Sequence, residues 1–352
     1  MTKFVVLGDT HFGVRGDSLK FHAYYEKFYS QCLFPYMKEH GIDLIIQLGD
    51  LFDRRKFINF NTLAECKRYF FDELVNNNIQ LVTLLGNHDI FWKESLSVNA
   101  TGLILGEYDD NIMLIDKPYV YPLSGTKIDL IPWICKENEN DVFEFIDRSK
   151  SDICVGHFEI AGFPMYRGMH AEEGLSHDMF AKYERVWSGH YHTRSKAENI
   201  EYVGTPYEMT WQDAGDPKGF SVFDTETREF TFVQNPFTIH EKLTYDEDAD
   251  MLWPKQCNLK DKYVKVVVVN KKDLYKFDRY INELYEQEPY EVKIIEDLSE
   301  FNEGTIDAEI NLEDTISILG NYIDSVQTEG DKEAIKTFVK GLYIEAINQE
   351  VV

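Results

Sequence analysis

Five times along this chain an apolar run stops at a glycine and passes at once into Asp, Asn or His. These stretches are Gly8-Asp9-Thr10-His11, Gly49-Asp50, Gly86-Asn87-His88-Asp89, Gly156-His157 and Gly189-His190-Tyr191-His192. The first three runs, at 4–7, 43–48 and 79–85, read as strands. Segments at 18–40, rich in aromatics (Phe21, Tyr24, Tyr25, Phe28), and at 61–77 predict helices between them. Strand, helix, strand, helix, strand in this rhythm predicts parallel strands covered by helices. In such sheets ligands gather at the carboxyl ends of the strands, where a glycine lets the backbone turn sharply and approach closely.

After residue 111 the pattern changes. Short strands are expected at 112–115, 127–131, 153–155, 185–187, 200–203, 220–223 and 229–233, with turn residues such as Asp216-Pro217-Lys218-Gly219 between several of them. The expected fold class is α/β: a two-sheet sandwich flanked by helices over residues 1–245, the second sheet partly antiparallel. Residues 246–300 should form a small β-α-β cap or accessory domain, from a strand at 263–269, a helix at 273–286 and a strand at 290–295. Residues 301–352 should be an acidic linker and a two-helix tail. Leu312, Ile316, Leu319, Ile323 and Val326 recur at a/d spacing, with Asn311 as N-cap, and Ile335, Val339, Leu342 and Ala346 start a second stripe.

With 43% hydrophobic and 14% aromatic residues the chain is globular, not disordered. Its five cysteines form no C-x-x-C pair and fit reduced core positions in the cytoplasm. No stretch is apolar enough for a membrane span, and the run at 4–7 is too short for a signal peptide. A net charge of −26 excludes a protein that binds nucleic acid over its whole surface. It does not exclude a local basic site, because exposed charges beyond roughly 8 Å are largely screened. The charge is also uneven: residues 281–330 hold 14 acidic side chains and one Lys, and residues 255–279 hold eight basic and three acidic ones.

The side chains at the strand ends offer carboxylate, imidazole and amide oxygen, with no thiolate. That set suits manganese, or iron or magnesium, over structural zinc. Asp9, His11, Asp50, Asn87, His157, His190 and His192 are the candidate metal ligands. His190 and His192, two apart on an extended segment, project to one side and can each serve one of two ions. Two divalent ions bring four positive charges and Asp9 and Asp50 remove two. The remainder can hold a hydroxide and a phosphodiester. His88 leaves the turn in a different direction from Asn87, towards a bound phosphate, with Asp89 expected to orient its ring. Arg54-Arg55-Lys56, directly after the Asp50 loop, are candidate phosphate contacts beside the metals. His22, His40, His170, His177 and His240 are expected to be surface or packing residues.

The ordered motif set resembles the calcineurin-like metallophosphoesterase superfamily. Within it, Leu48-Gly49-Asp50-Leu51-Phe52-Asp53, Asp129-Leu130-Ile131-Pro132-Trp133 and Val203-Gly204-Thr205-Pro206 resemble SbcD-type DNA double-strand-break nuclease subunits, nearest to the T-even-phage branch of recombination endonuclease subunits. The motifs span about residues 4–225, and the tail matches in arrangement only. The resemblance implies a manganese-dependent DNA endo/exonuclease in which a hydroxide held on two metals attacks the phosphodiester. It implies Asp9, His11, Asp50 and His192 around one ion and Asp50, Asn87, His157 and His190 around the other. Asp50 would bridge, and His88 would be catalytic beside the scissile phosphate. The implied partners are DNA and an SbcC-like coiled-coil ATPase docked on the C-terminal helices. The implied assembly is a homodimer within a heterotetramer, working in recombination and repair in the cytoplasm (the host's, for a phage protein). The alternatives are a phosphatase or phosphodiesterase of the same superfamily, and a non-catalytic scaffold for the ATPase. Many cellular relatives have His where this chain has Asp53, which puts a second imidazole there in question.

Overall fold

The computed structural model describes residues 3–123, 125–166 and 169–296, and four isolated tail positions, 332, 335, 336 and 339. Two six-stranded sheets face each other. The first runs Phe230–Gln234, Gly219–Asp224, Lys3–Leu7, Leu44–Gln47, Gln80–Leu84, Ile112–Ile115. Its last four strands are parallel, with Val5 opposite Ile45, Ile45 opposite Leu81 and Leu81 opposite Ile112. The second runs Ser195–Ala197, Ile200–Tyr202, Arg185–Ser188, Ile153–Gly156, Thr126–Ile131, Tyr119–Leu123. Its inner four strands are parallel and both edges antiparallel.

Alternation along each strand explains the layering. Phe4, Val6, Ile46 and Val82 point into the space between the sheets and meet Ile128, Leu130, Val155 and Trp187 from the other side. Val5, Leu7, Ile45 and Leu81 point outward under the helices. Both faces are therefore buried, which is why these strands read as continuous apolar runs. Each such side chain contributes roughly 1.5–3 kcal/mol on burial.

The two expected helices exist, each broken by a π turn. The first runs Leu19–Phe28, turns through Tyr29–Leu33 and continues as Phe34–His40. The second runs Phe60–Cys66, turns through Lys67–Phe71 and continues as Asp72–Asn76. At the two π turns the helices meet, with the rings of Tyr29 and Phe70 4.7 Å apart. Aromatic spacing alone reads as uninterrupted helix and cannot report the extra residue. The hairpin Ile90–Trp92/Ser95–Asn99 follows the Asn87 loop and has no clear period in the sequence.

The β-α-β unit is present and gains a strand. His240–Asp246, Tyr263–Asn270 and Glu291–Ile295 form a parallel sheet, with helix Leu274–Tyr285 between the last two. Asp273 caps that helix by accepting from the N–H groups of Tyr275 and Lys276. Leu243, Tyr245, Val266, Phe277, Tyr280 and Leu284 form its own core. The chain divides into compact units of residues 1–298 and 299–352. Apart from positions 332, 335, 336 and 339, which are helical, the tail helices expected over 301–352 lie outside the described residues. No helix among the described residues is long and apolar enough to cross a membrane, and all five cysteines are free.

Candidate metal centre and active site

The five glycine-ended loops converge at the carboxyl ends of strands Lys3–Leu7, Leu44–Gln47 and Gln80–Leu84 in one sheet and Ile153–Gly156 and Arg185–Ser188 in the other. Three of the candidate ligands have left-handed backbones: His11 (φ 41°), Asp50 (φ 53°) and His190 (φ 84°). Such conformations cost on the order of 1–3 kcal/mol each and persist only where the surroundings enforce them. Here they are enforced. Thr10 and His11 donate their backbone N–H groups to Asp50 O, at 3.1 and 3.0 Å. His190 donates its N–H to the Asp9 carboxylate at 3.0 Å, and His88 its N–H to Asp50 Oδ1 at 2.7 Å. Contact requires glycine at these loops. A Cβ on Gly86 would overlap the Asp50 carboxylate, and one on Gly189 would lie 2.5 Å from Asp9 Oδ1.

The structure brings the seven side chains into two adjoining groups. In one, Asp9, His11 and His192 each present a ligand atom within 4.8 Å of the others, and in the second Asp50, His157 and His190 do the same. His11 Nε2 and His192 Nε2 are 3.1 Å apart. Asn87 Oδ1 joins the second group, 3.0 Å from His157 Nε2 and 3.1 Å from His190 Nδ1. Asp50 Oδ2 lies between the groups, 3.4 Å from His157 Nε2 and 3.7 Å from His11 Nε2. Asp9, His11, Asp50 and His157 are buried; His88, His190 and His192 are half-buried and line the open side.

Electrostatics agree with a cation site. Burial lifts the Asp9 carboxyl to about 7, and Asp50 adds to the effect. Burial also acts against the Asp50 carboxylate, but His157 and His88 outweigh it and hold Asp50 well below the usual range. His157 would be lowered by burial; Asp50 and Asp9 instead raise it to about 9. Burial lowers His11, and lowers His190 to about 3, so both are neutral imidazoles with a lone pair to give. The donor set is nitrogen and oxygen without sulfur, which fits divalent ions of intermediate hardness.

One expectation is corrected. Asp89 does not orient His88. Its Oδ1 accepts the N–H groups of Leu51 (2.9 Å) and Phe52 (3.2 Å), and its Oδ2 accepts that of Gly86 (2.8 Å). A fully buried carboxylate needs donors, and here it finds them in the backbone of two loops, which it ties together. His88 Nδ1 instead donates to the Asp53 carbonyl at 2.5 Å, which leaves Nε2 clear of that carbonyl. The Asp53 side chain lies behind His11, with Oδ1 3.7 Å from His11 Nδ1. No sequence signal points to a backbone carbonyl in this role.

The candidate DNA contacts are unequal. Arg54 donates to Asp17 at 2.8 Å and lies over the Phe57 ring, Arg55 is half-buried, and Lys56 is exposed. The basic segment at 255–279 is largely neutralised. Lys260 pairs with Glu288, Lys262 with Glu241, Lys271 with Glu296, Lys272 with Asp248 and Arg279 with Glu283. His22 sits between Tyr69 and Thr62, and His240 on Glu208, as packing residues. Sequence reasoning gave Trp133 no place at the site, yet its ring is 5.3 Å from His190 and 5.8 Å from His157.

A model of the calcineurin-like phosphoesterase family matches residues 2–194. The chain is 35% identical over 347 residues to exonuclease subunit 1 of Enterobacteria phage T4, covering 98% of this chain and 99% of the phage protein. Among solved structures, GAP50, the anchor in the inner membrane complex of Plasmodium, is 14% identical with a TM-score of 0.37, over 67% of this chain and 90% of that one. An archaeal phosphodiesterase is 11% identical with a TM-score of 0.35, over 66% and 99%. These two structural likenesses are too slight to add to the family match.

Proposed function

Because this chain belongs to the calcineurin-like phosphoesterase family, we propose that it is the metal-dependent nuclease subunit of an SbcCD-like recombination and repair complex. Its reaction is hydrolysis of DNA phosphodiesters. The observation that carries the reading is Asp50, whose Oδ2 reaches imidazole nitrogens of both ligand groups, at 3.4 and 3.7 Å. A carboxylate in that position is what a shared pair of cations requires.

Asp9, His11, Asp50 and His192 would hold one ion, and Asp50, Asn87, His157 and His190 the other, with manganese as the metal that suits this nitrogen and oxygen donor set. The ions supply Lewis acidity to the phosphate and a nucleophile at neutral pH. The chain's own residues position and neutralise. Asp9 and Asp50 set the net charge of the site. The Asp53 carbonyl holds His88 by Nδ1, which leaves Nε2 to meet the phosphate and the leaving oxygen. Lys56 and Arg55 supply local positive charge for the DNA backbone.

The phage T4 relative is named a subunit, which supports a partner for this chain; the two apolar stripes at 312–326 and 335–346 make residues 301–352 the segment that would dock an SbcC-like coiled-coil ATPase. A chain ending after Thr305 should keep metal-dependent cleavage and fail to co-purify with the ATPase. Retained co-purification would move the docking site elsewhere.

The deciding experiment is cleavage of linear duplex and single-stranded DNA in manganese, with and without the ATPase, beside metal analysis. The wild type should bind two ions and cut DNA, and Asp50→Ala should lose both properties. Full activity in Asp50→Ala would refute the shared-carboxylate reading. Untouched DNA beside rapid hydrolysis of a phosphomonoester would make the chain a phosphatase.

A further inference from the structure

The motif set ends at His192, but the backbone of His192 is held by charged side chains from farther along the chain. Lys218 Nζ donates to the His192 carbonyl at 2.9 Å and pairs with Asp213 Oδ1 at 2.6 Å. Lys218 is 4% and Asp213 3% exposed. Asp213 Oδ2 accepts the backbone N–H groups of Met209 (3.0 Å) and Thr210 (2.8 Å) and the Thr210 hydroxyl (3.2 Å). Burial would raise this carboxyl, but Lys218 and then His192 outweigh it and hold it at about 2. The turn Trp211–Asp213 is braced in turn from the small parallel sheet. Lys265 Nζ sits 4.3 Å from the Trp211 ring centre, and His240 packs against the same ring at 4.7 Å.

Burying two unlike charges is costly, and an apolar pair of similar volume often serves packing as well or better. What an apolar pair cannot do is direct an N–H donor at the His192 carbonyl. That carbonyl otherwise accepts only from Thr205 N–H, at 3.2 Å, among the described residues. His192 is a half-buried group on the open side of the site, with Nε2 3.1 Å from that of His11. A backbone left to drift would carry this nitrogen away from its partners.

We propose that Asp213 and Lys218 are positioning residues for the first metal group, fixing the His192 backbone so that its imidazole meets the same ion as Asp9 and His11. The proposal rests on the two-ion reading above. It assigns the stability of one ion, and not the other, to residues outside the motif set and beyond the segment that the family model matches.

The test is titration of the metal-free full chain with manganese chloride, followed by calorimetry and electron paramagnetic resonance. Three chains are compared: wild type, Lys218→Met, and the double variant Asp213→Asn/Lys218→Met. The double variant removes both charges and so leaves no unpaired ion in the core; its unfolding midpoint without metal is measured alongside. The wild type should take up two ions as a spin-coupled pair. Both variants should bind one ion with wild-type affinity and the second at least about tenfold more weakly, with the signal of an isolated ion at low manganese. DNA cleavage lost at low manganese should return as manganese is raised. A folded double variant that binds two ions with wild-type affinities overturns the proposal, as does equal weakening of both ions. A wild type that never takes up a pair overturns the two-ion reading itself.

Discussion

Asp89→Ala tests the tie between the Asp50 and Asn87 loops. In the wild type one buried carboxylate accepts three backbone N–H groups, from Leu51, Phe52 and Gly86, and so ties the Asp50 loop to the Asn87 loop. Alanine leaves these donors in a fully buried place. An unsatisfied buried donor costs about 1–3 kcal/mol, so the unrelaxed loss is about 3–9 kcal/mol. Relaxation and an entering water reduce it, and we expect about 4–5 kcal/mol. Against a total stability of about 5–15 kcal/mol this is a large fraction. For a unit of this size it lowers Tm by about 8–15 °C. The assay is urea and thermal unfolding in chelator, because a metal that binds only the folded state adds stability of its own. Asp89→Asn keeps the oxygen that serves Leu51 and Phe52 but turns an amide donor on Gly86 N–H, and should lose about half as much. A loss under about 1 kcal/mol for Asp89→Ala would refute the tie. If that variant were as stable as wild type, bound both ions and yet cut DNA slowly, Asp89 would act on His88 after all.

The His88→Ser variant should lose cleavage rate on the order of 10²–10⁴, the usual size of general acid help, with ion content and DNA affinity retained; Asp53→Ala, which keeps the carbonyl that holds His88 Nδ1, should lose far less. Asp213 sits at about 2, below its ordinary 3.8, so folding favours the carboxylate; its contribution is complete above about pH 4 and fades as pH falls through about 2. That difference corresponds to about 2 kcal/mol, and the stability gap between wild type and Asp213→Asn, from urea titrations between pH 5 and 2, should narrow by about that amount. With Arg54 tied to Asp17 and five of the eight basic residues at 255–279 paired with carboxylates from neighbouring segments, these two basic stretches offer few cations to DNA. The slope of log affinity against log salt should be only about −2 to −3, and Lys56→Ala should reduce it by about one, as read by fluorescence anisotropy across a salt series.

Much of this protein is legible in its order of residues. Alternating apolar positions such as Phe4, Val6 against Val5, Leu7 determine that the strands are covered on both faces. Gly-Asp, Gly-Asn and Gly-His at successive strand ends determine that polar ligands collect on one edge, because parallel strands put their carboxyl ends together. Seven side chains could be named in this way, and the fold brings those seven into one cluster. Only the tertiary structure decided which partner each group takes. Asp89 and His88 are neighbours in sequence, yet their side chains part: one turns inward to backbone donors and the other meets the Asp53 carbonyl. A backbone carbonyl has no identity in a sequence. The eight basic residues at 255–279 look like a patch for an acidic ligand until the carboxylates of Glu241, Glu288 and Glu296 are seen beside them. Lys218 and Asp213 belong to a turn by composition and to the His192 backbone by position. Periodicity reports which face a side chain is on and where a strand stops. It holds no information on distances between segments far apart in the chain, and hydrogen bonds and ion pairs fall off within a few ångströms of those distances.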